Sequence, residues 1–72
     1  MRVPMKSASS RDVIRLLTQD GWMQVVTDGS HMQFKHPIKP GRVTVAHPVM
    51  DIPVGTLRSI YRQAGWDWSN RR

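Results

Sequence analysis

The chain has 72 residues, no cysteine, and 11 lysines and arginines against 5 acids, for a formal charge of +6. That length suits one small domain, and the missing thiols exclude disulfides and thiolate metal sites. No apolar run approaches the ~20 residues of a membrane span, and the N-terminal stretch lacks the apolar segment of a secretion signal, so a cytoplasmic location is expected. The basic excess favours an anionic partner, with nucleic acid first.

Residues 1–8 show no periodic pattern and are expected to fray. Ser9 and Ser10 suit an N-cap, and Ser9 with Asp12 approximates a capping box. Val13, Ile14, Leu16 and Leu17 recur at helical spacing with Arg11, Arg15, Thr18 and Gln19 opposite, which predicts a helix over 10–20 closed by Gly21. Asp28-Gly29 between alternating segments then predicts a hairpin with a type I′ turn, whose two central residues need positive φ. Its strands cover 22–27 and 30–36. In that register Val25 faces Met32 and Met23 faces Phe34 on the buried side. Val26 faces His31, Gln24 faces Gln33, and Trp22 faces Lys35 on the other.

Residues 37–41 hold two prolines and a glycine and read as a turn. Arg42 to His47 follows as a third strand, with Val43 and Val45 matched to the Met32/Phe34 side. Pro48 to Ile52 connects, and Pro53 suits the first turn of a second helix. Leu57, Ile60, Tyr61 and Ala64 form its buried stripe, Gly65 closes it, and Trp66 packs back on its last turn. Asp67 to Arg72 reads as a polar tail.

The predicted order is α-β-β-β-α: an α+β, two-layer domain with a three-stranded antiparallel sheet and both helices on one face. It forms one domain over 1–72, with its core over about 9–66 and flexible ends at 1–8 and 67–72. The open face carries His31, Gln33, Lys35, Gln24 and Thr44, with the apolar Trp22 and Val26. His36 and His47 fall at strand ends or on the opposite side, where they pack or hydrogen-bond. Scattered histidines without cysteine or glutamate have no ligand spacing, so neither metal nor cofactor is expected.

Several segments resemble one family. They are Gly29-Ser30-His31-x-Gln33-Phe34-Lys35-His36-Pro37, Gly41-x-Val43-Thr44-Val45-x-His47-Pro48, and Asp51-Ile52-Pro53-x-Gly55-Thr56-Leu57-Arg58-Ser59-Ile60 with Gln63-Ala64-Gly65. Together with Ser10-Arg11-Asp12-Val13-Ile14-Arg15-Leu16-Leu17 and Asp20-Gly21-Trp22, they are similar to HicA toxins over roughly residues 5–66. The resemblance implies a double-stranded-RNA-binding-domain-like fold and the toxin of a toxin–antitoxin pair that cleaves messenger RNA. It implies a catalytic histidine in the Gly-Ser-His motif, here His31, and neutralisation by a HicB antitoxin. Many members carry a second histidine directly after the first; this chain has Met32.

RNA cleavage through the 2′-OH needs a base, positive charge for the developing phosphorane, and an acid for the leaving oxygen. Histidine titrates near neutral pH and can be either base or acid, so His31 is the expected catalytic residue. Ser30, Gln33 and Lys35 are expected on the RNA beside it, and Lys39 and Arg42 grip phosphate from the turn before the third strand. Trp22, Val26, His31 and Lys35 are expected under the antitoxin, whose surface should be acidic. The bland alternative for each polar residue is ordinary solvated surface, and for Trp22 plain packing. Two rival readings are a non-catalytic RNA-binding module and a partner-binding adaptor. Against the first, the second helix opens with Pro53-Val54-Gly55-Thr56 and has no lysine cluster there.

Overall fold

The computed structural model describes residues 8–70, with elements in the expected order: α1 (Ser10–Gln19), β1 (Met23–Asp28), β2 (His31–Lys35), β3 (Arg42–Ala46), α2 (Val54–Ala64), and a 3₁₀ turn at Trp68–Asn70. The predicted capping box starts α1: Ser9 Oγ accepts from the Asp12 amide at 3.1 Å, and the Asp12 carboxylate accepts from the Ser9 amide at 3.2 Å. Pro53 precedes α2, where an unpaired N–H would have had no helical partner. Gly65 ends α2 in the left-handed region at φ 74°, and the Trp66 amide returns to the Tyr61 carbonyl.

The antiparallel sheet has the order β1-β2-β3. Both helices pack on the side of β3 that carries Val43 and Val45. Val13 and Leu17 of α1, and Leu57, Ile60, Tyr61 and Ala64 of α2, join Phe34, Val43 and Val45 in the core. This is the two-layer α+β domain read from the sequence. All of β1 is exposed, because the helices do not reach across to that edge.

Two details of the hairpin differ from the sequence reading. The turn is centred on Gly29-Ser30 and flanked by Asp28 and His31, one residue later than expected. Gly29 has φ 61° and Ser30 has no positive φ, the pattern of a type II′ turn with glycine first. Shifting both flanks moves β1 two places along β2, which keeps Val26 on the open face but pairs it with Gln33 rather than His31. The second difference is a β-bulge between Gln24 and Val26. An extra residue reverses the alternation beyond it. Gln24, not Met23, therefore pairs with Phe34, and Met23 emerges opposite Lys35 with 63% exposure. Trp22 turns inward and is 2% exposed, which corrects its expected place on the open face.

Trp22 enters the core with its polar edge satisfied. Its Nε1–H donates to Asp20 Oδ2 at 3.0 Å, Trp66 Nε1–H donates to the same oxygen at 2.9 Å, and Lys39 Nζ does so at 2.6 Å. Lys39 also donates to the Ala64 carbonyl at 3.1 Å. One carboxylate thus ties the end of α1, the β2–β3 loop and the end of α2. His36 completes the joint. Its Nδ1 accepts the amides of Ile38 and Lys39, both at 3.0 Å, so Nε2 carries the proton and donates to the Asp20 carbonyl at 2.7 Å. Gly21 makes room for that ring: a Cβ there would stand 2.9 Å from His36 Nε2, at a backbone φ of 98°.

A second joint holds the start of α1. Ser10 is 1% exposed, its amide donates to the Val49 carbonyl, and its Oγ accepts from the Val49 amide. The same Oγ lies 2.7 Å from His47 Nδ1. Both flanking histidines are therefore hydrogen-bonded at strand ends, as the alternation required. The frayed ends expected over 1–8 and 67–72 fall outside the described residues at 1–7 and 71–72. Ala8 is buried and its carbonyl accepts from the Ile52 amide at 2.9 Å. Trp68 stands edge-to-face on Tyr61, 5.1 Å between centroids, so the described part of the tail packs on α2.

The Lys39 hydrogen bond is the main cause holding the Asp20 carboxyl below its ordinary 3.8, opposed by partial burial and helped by the two indole N–H groups. A lowered folded value means the stabilisation is fully present above the ordinary value and is lost as pH falls through the lowered one. Asp20→Asn is expected to cost about 2 kcal/mol at pH 7, allowing for the partial exposure of the ion pair. It should also flatten the loss of stability below about pH 4, a comparison that urea titrations at neutral and acid pH make directly.

Candidate functional site

The open face is organised by the hairpin turn. Because Gly29-Ser30 forms the turn, Asp28 and His31 are direct cross-strand partners, and Ala46 of β3 continues their rung. The next outward-facing rung is Val26–Gln33–Thr44, and the one after it is Met23–Lys35–Arg42. The face therefore has two ends. One holds a carboxylate beside an imidazole, and the other holds two cations beside a methionine. Along β2, His31 and Gln33 are separated by about 6–7 Å, and His31 and Lys35 by about 13 Å.

His31 is exposed at the first position of β2. Its preceding residue is held from just beyond β3: the His47 amide donates to the Ser30 carbonyl at 2.7 Å. Gln33 accepts from Arg42 Nη1 at 2.8 Å, so the middle and basic rungs are joined across β2 and β3. Lys35 is exposed and projects from the basic end. Val26 is 40% exposed and gives the face an apolar centre together with Met23.

The structure brings together His31, Gln33, Lys35, Arg42 and Val26, with Ser30 in the turn that leads into His31. It does not bring in Lys39, which follows the far end of β2 and is engaged by Asp20 and the Ala64 carbonyl. Nor does it bring in Trp22, which the bulge turns into the core. Sequence reasoning missed Met23 and Asp28 on this face. The signal for Asp28 was present, since Gly-Ser is itself a two-residue hairpin pair with glycine first, and it competes with Asp-Gly at the adjacent position. Nothing in the sequence marks Val25 as the bulge. Among the described residues no cluster of histidine and acidic side chains has the grouping of a metal site.

Of the three histidines, His36 and His47 have ring nitrogens bonded within the fold, and His31 stands exposed on the open face. A small basic α+β domain with one covered and one open sheet face, and a single exposed histidine on the latter, is the class that fold and site define. Residues 10–66 match the family model described as HicA toxin of bacterial toxin-antitoxin. The chain belongs to that family, and as such it is the toxin of a toxin–antitoxin system. The comparison with individual curated proteins gives no match. The family match ends at Trp66, so the packing of Trp68 on Tyr61 lies beyond it. Among the described residues no helix is long and apolar enough to cross a membrane.

The face depends on the turn keeping its register. Gly29→Ala places a side chain at φ 61°. It should cost roughly 1–2 kcal/mol of stability. Hydrogen exchange should quicken at amides of the β1–β2 hairpin more than in α2, which stands apart from the turn.

Proposed function

We propose that this protein is an endoribonuclease toxin that cleaves messenger RNA, with His31 as a general acid/base and a HicB-like antitoxin as its neutralising partner. One observation carries the reading: His31 is the histidine left exposed on the open face, while the other two are bonded at the joints of the fold. Lys35 and Arg42, two rungs away, supply positive charge for flanking phosphates. Gln33 stands between them and His31 and is oriented by Arg42, which suits contact with the nucleotide being cleaved. The 2′-OH of RNA is the nucleophile, so no metal is called for, and the products carry 2′,3′-cyclic phosphate and 5′-OH ends.

The antitoxin competes with RNA for the same face. Met23 and Val26 provide its apolar footing in place of the buried Trp22, and Lys35 and Arg42 call for carboxylates on the partner. Its contact would cover His31 directly.

His31→Ala should abolish cleavage of single-stranded RNA while leaving the fold and most RNA affinity intact, and wild-type cleavage should survive a chelator. The measurement is oligonucleotide cleavage with analysis of the 3′ ends. Free 3′-hydroxyl ends would exclude the 2′-OH route. RNA binding without cleavage by the wild-type protein would leave a non-catalytic RNA-binding module. In a salt titration of RNA binding, Lys35→Ala and Arg42→Ala should each reduce the slope of log K against log[salt] by about 0.7. Changing Lys39 to alanine should instead lower stability, since its ammonium serves Asp20 and the α2 terminus.

A further inference from the structure

Cleavage through the 2′-OH moves two protons at opposite ends of one displacement. The nucleophile loses a proton while the leaving 5′-oxygen gains one, and a single imidazole cannot do both in the same step. A second proton-transfer group therefore has to come from this face or from water. The charged and titratable side chains that share the face are Asp28 from β1, His31 and Lys35 from β2, and Arg42 from β3. Lysine and arginine side chains are hydrogen-bond donors without an acceptor atom when charged. His47, next in sequence to the Ala46 that ends the His31 rung, has Nδ1 against Ser10 Oγ. His36 is bonded through both ring nitrogens.

Asp28 is different. The Gly29-Ser30 turn makes it the cross-strand partner of His31, on the same side of the sheet. The Cβ atoms of such a pair stand about 5 Å apart, so one scissile phosphate can lie over both side chains. Both residues are exposed, and no hydrogen bond among the described residues engages either side chain. The position also runs against simple phosphate binding. A carboxylate on the working face of a basic protein repels the phosphates that Lys35 and Arg42 attract.

We propose that Asp28 is the general base that takes the 2′-OH proton and that His31, as imidazolium, is the acid that protonates the leaving 5′-oxygen. The inference rests on the ribonuclease reading and deepens it. In the step, the 2′-O–H bond breaks and its proton passes to a carboxylate oxygen of Asp28. The 2′-oxygen bonds to phosphorus, the P–O5′ bond breaks, and the departing oxygen takes a proton from His31. Asp28 ends protonated and His31 neutral, and exchange with water restores both. The face thereby divides its work: acid and base at the turn, nucleotide contact at Gln33, phosphate attraction at Lys35 and Arg42.

The test is single-turnover cleavage of a single-stranded RNA oligonucleotide by the full chain as wild type, Asp28→Asn, Asp28→Glu and His31→Ala. Rates are taken across the pH range and RNA affinity is measured in parallel. Asp28→Asn removes the base but not the shape, so the maximal rate should fall by about 10²-fold or more. RNA affinity should stay equal or rise, because a repelling charge has gone. The acid limb of the pH–rate profile should disappear with the carboxylate, and Asp28→Glu should recover part of the rate. An Asp28→Asn protein that cleaves at the wild-type rate overturns the proposal alone. So does one whose rate falls with the acid limb unchanged and with no recovery in Asp28→Glu, which marks a structural role. Wild-type protein that binds RNA without cleaving it overturns the ribonuclease reading and the proposal with it.

Discussion

The fold turns on one carboxylate. Asp20 Oδ2 receives Lys39, Trp22 and Trp66 within 3.0 Å, and the Asp20 carbonyl receives His36. These residues come from the end of α1, the start of the sheet, the β2–β3 loop and the end of α2. A chain this small buries little apolar surface, so its core alone gives a thin margin. A charge-assisted cluster at the place where both helices end fixes their position relative to the sheet. A partly exposed ion pair alone contributes little. Here the carboxylate also satisfies two indole N–H groups at the edge of the core, and an indole left without a partner there would be costly.

A second polar joint works at the opposite end of α1. Ser10 is buried and bonded to both Val49 and His47, while the His47 amide holds the Ser30 carbonyl. A short path of hydrogen bonds thus runs from the helix N-terminus to the turn that presents His31. His36 and His47 are spent on these joints. Their engagement leaves His31 as the histidine exposed on the open face.

With both helices on one side, the other face of the sheet is left uncovered. Its three outward rungs grade from carboxylate and imidazole, through an amide and a valine, to two cations and a methionine. On the proposed reading, the charge at one end attracts an anionic chain and the carboxylate and imidazole at the other transfer the protons. The same face exposes the apolar side chains of Met23 and Val26. In the proposed function one surface serves both RNA and antitoxin, so occupancy by one would exclude the other.

Much of this was legible in the sequence because it depends on local periodicity. The stripe of Leu57, Ile60, Tyr61 and Ala64, the capping box at Ser9 and Asp12, the glycine stops, and the shared side of Met32, Phe34, Val43 and Val45 each follow from spacing and are all found in the structure. The open-face position of His31, Gln33, Lys35 and Thr44 follows from the same alternation. Tertiary structure decided what alternation cannot carry. A bulge at Val25 has no sequence mark, yet it reverses every side chain before it, burying Trp22 and exposing Met23. Two adjacent glycine-containing pairs could each form the turn, and only pairing with the rest of the sheet chose Gly29-Ser30 and set Asp28 beside His31. Lys39 reads as a loop cation in sequence, and its commitment to Asp20 and Ala64 appears only when residues 19 and 25 positions away fold against it. Where the alternation is unbroken, as in β2 and β3, sharing a face is a property of sequence neighbours; bulges, the choice of turn and contacts across the chain belong to the fold.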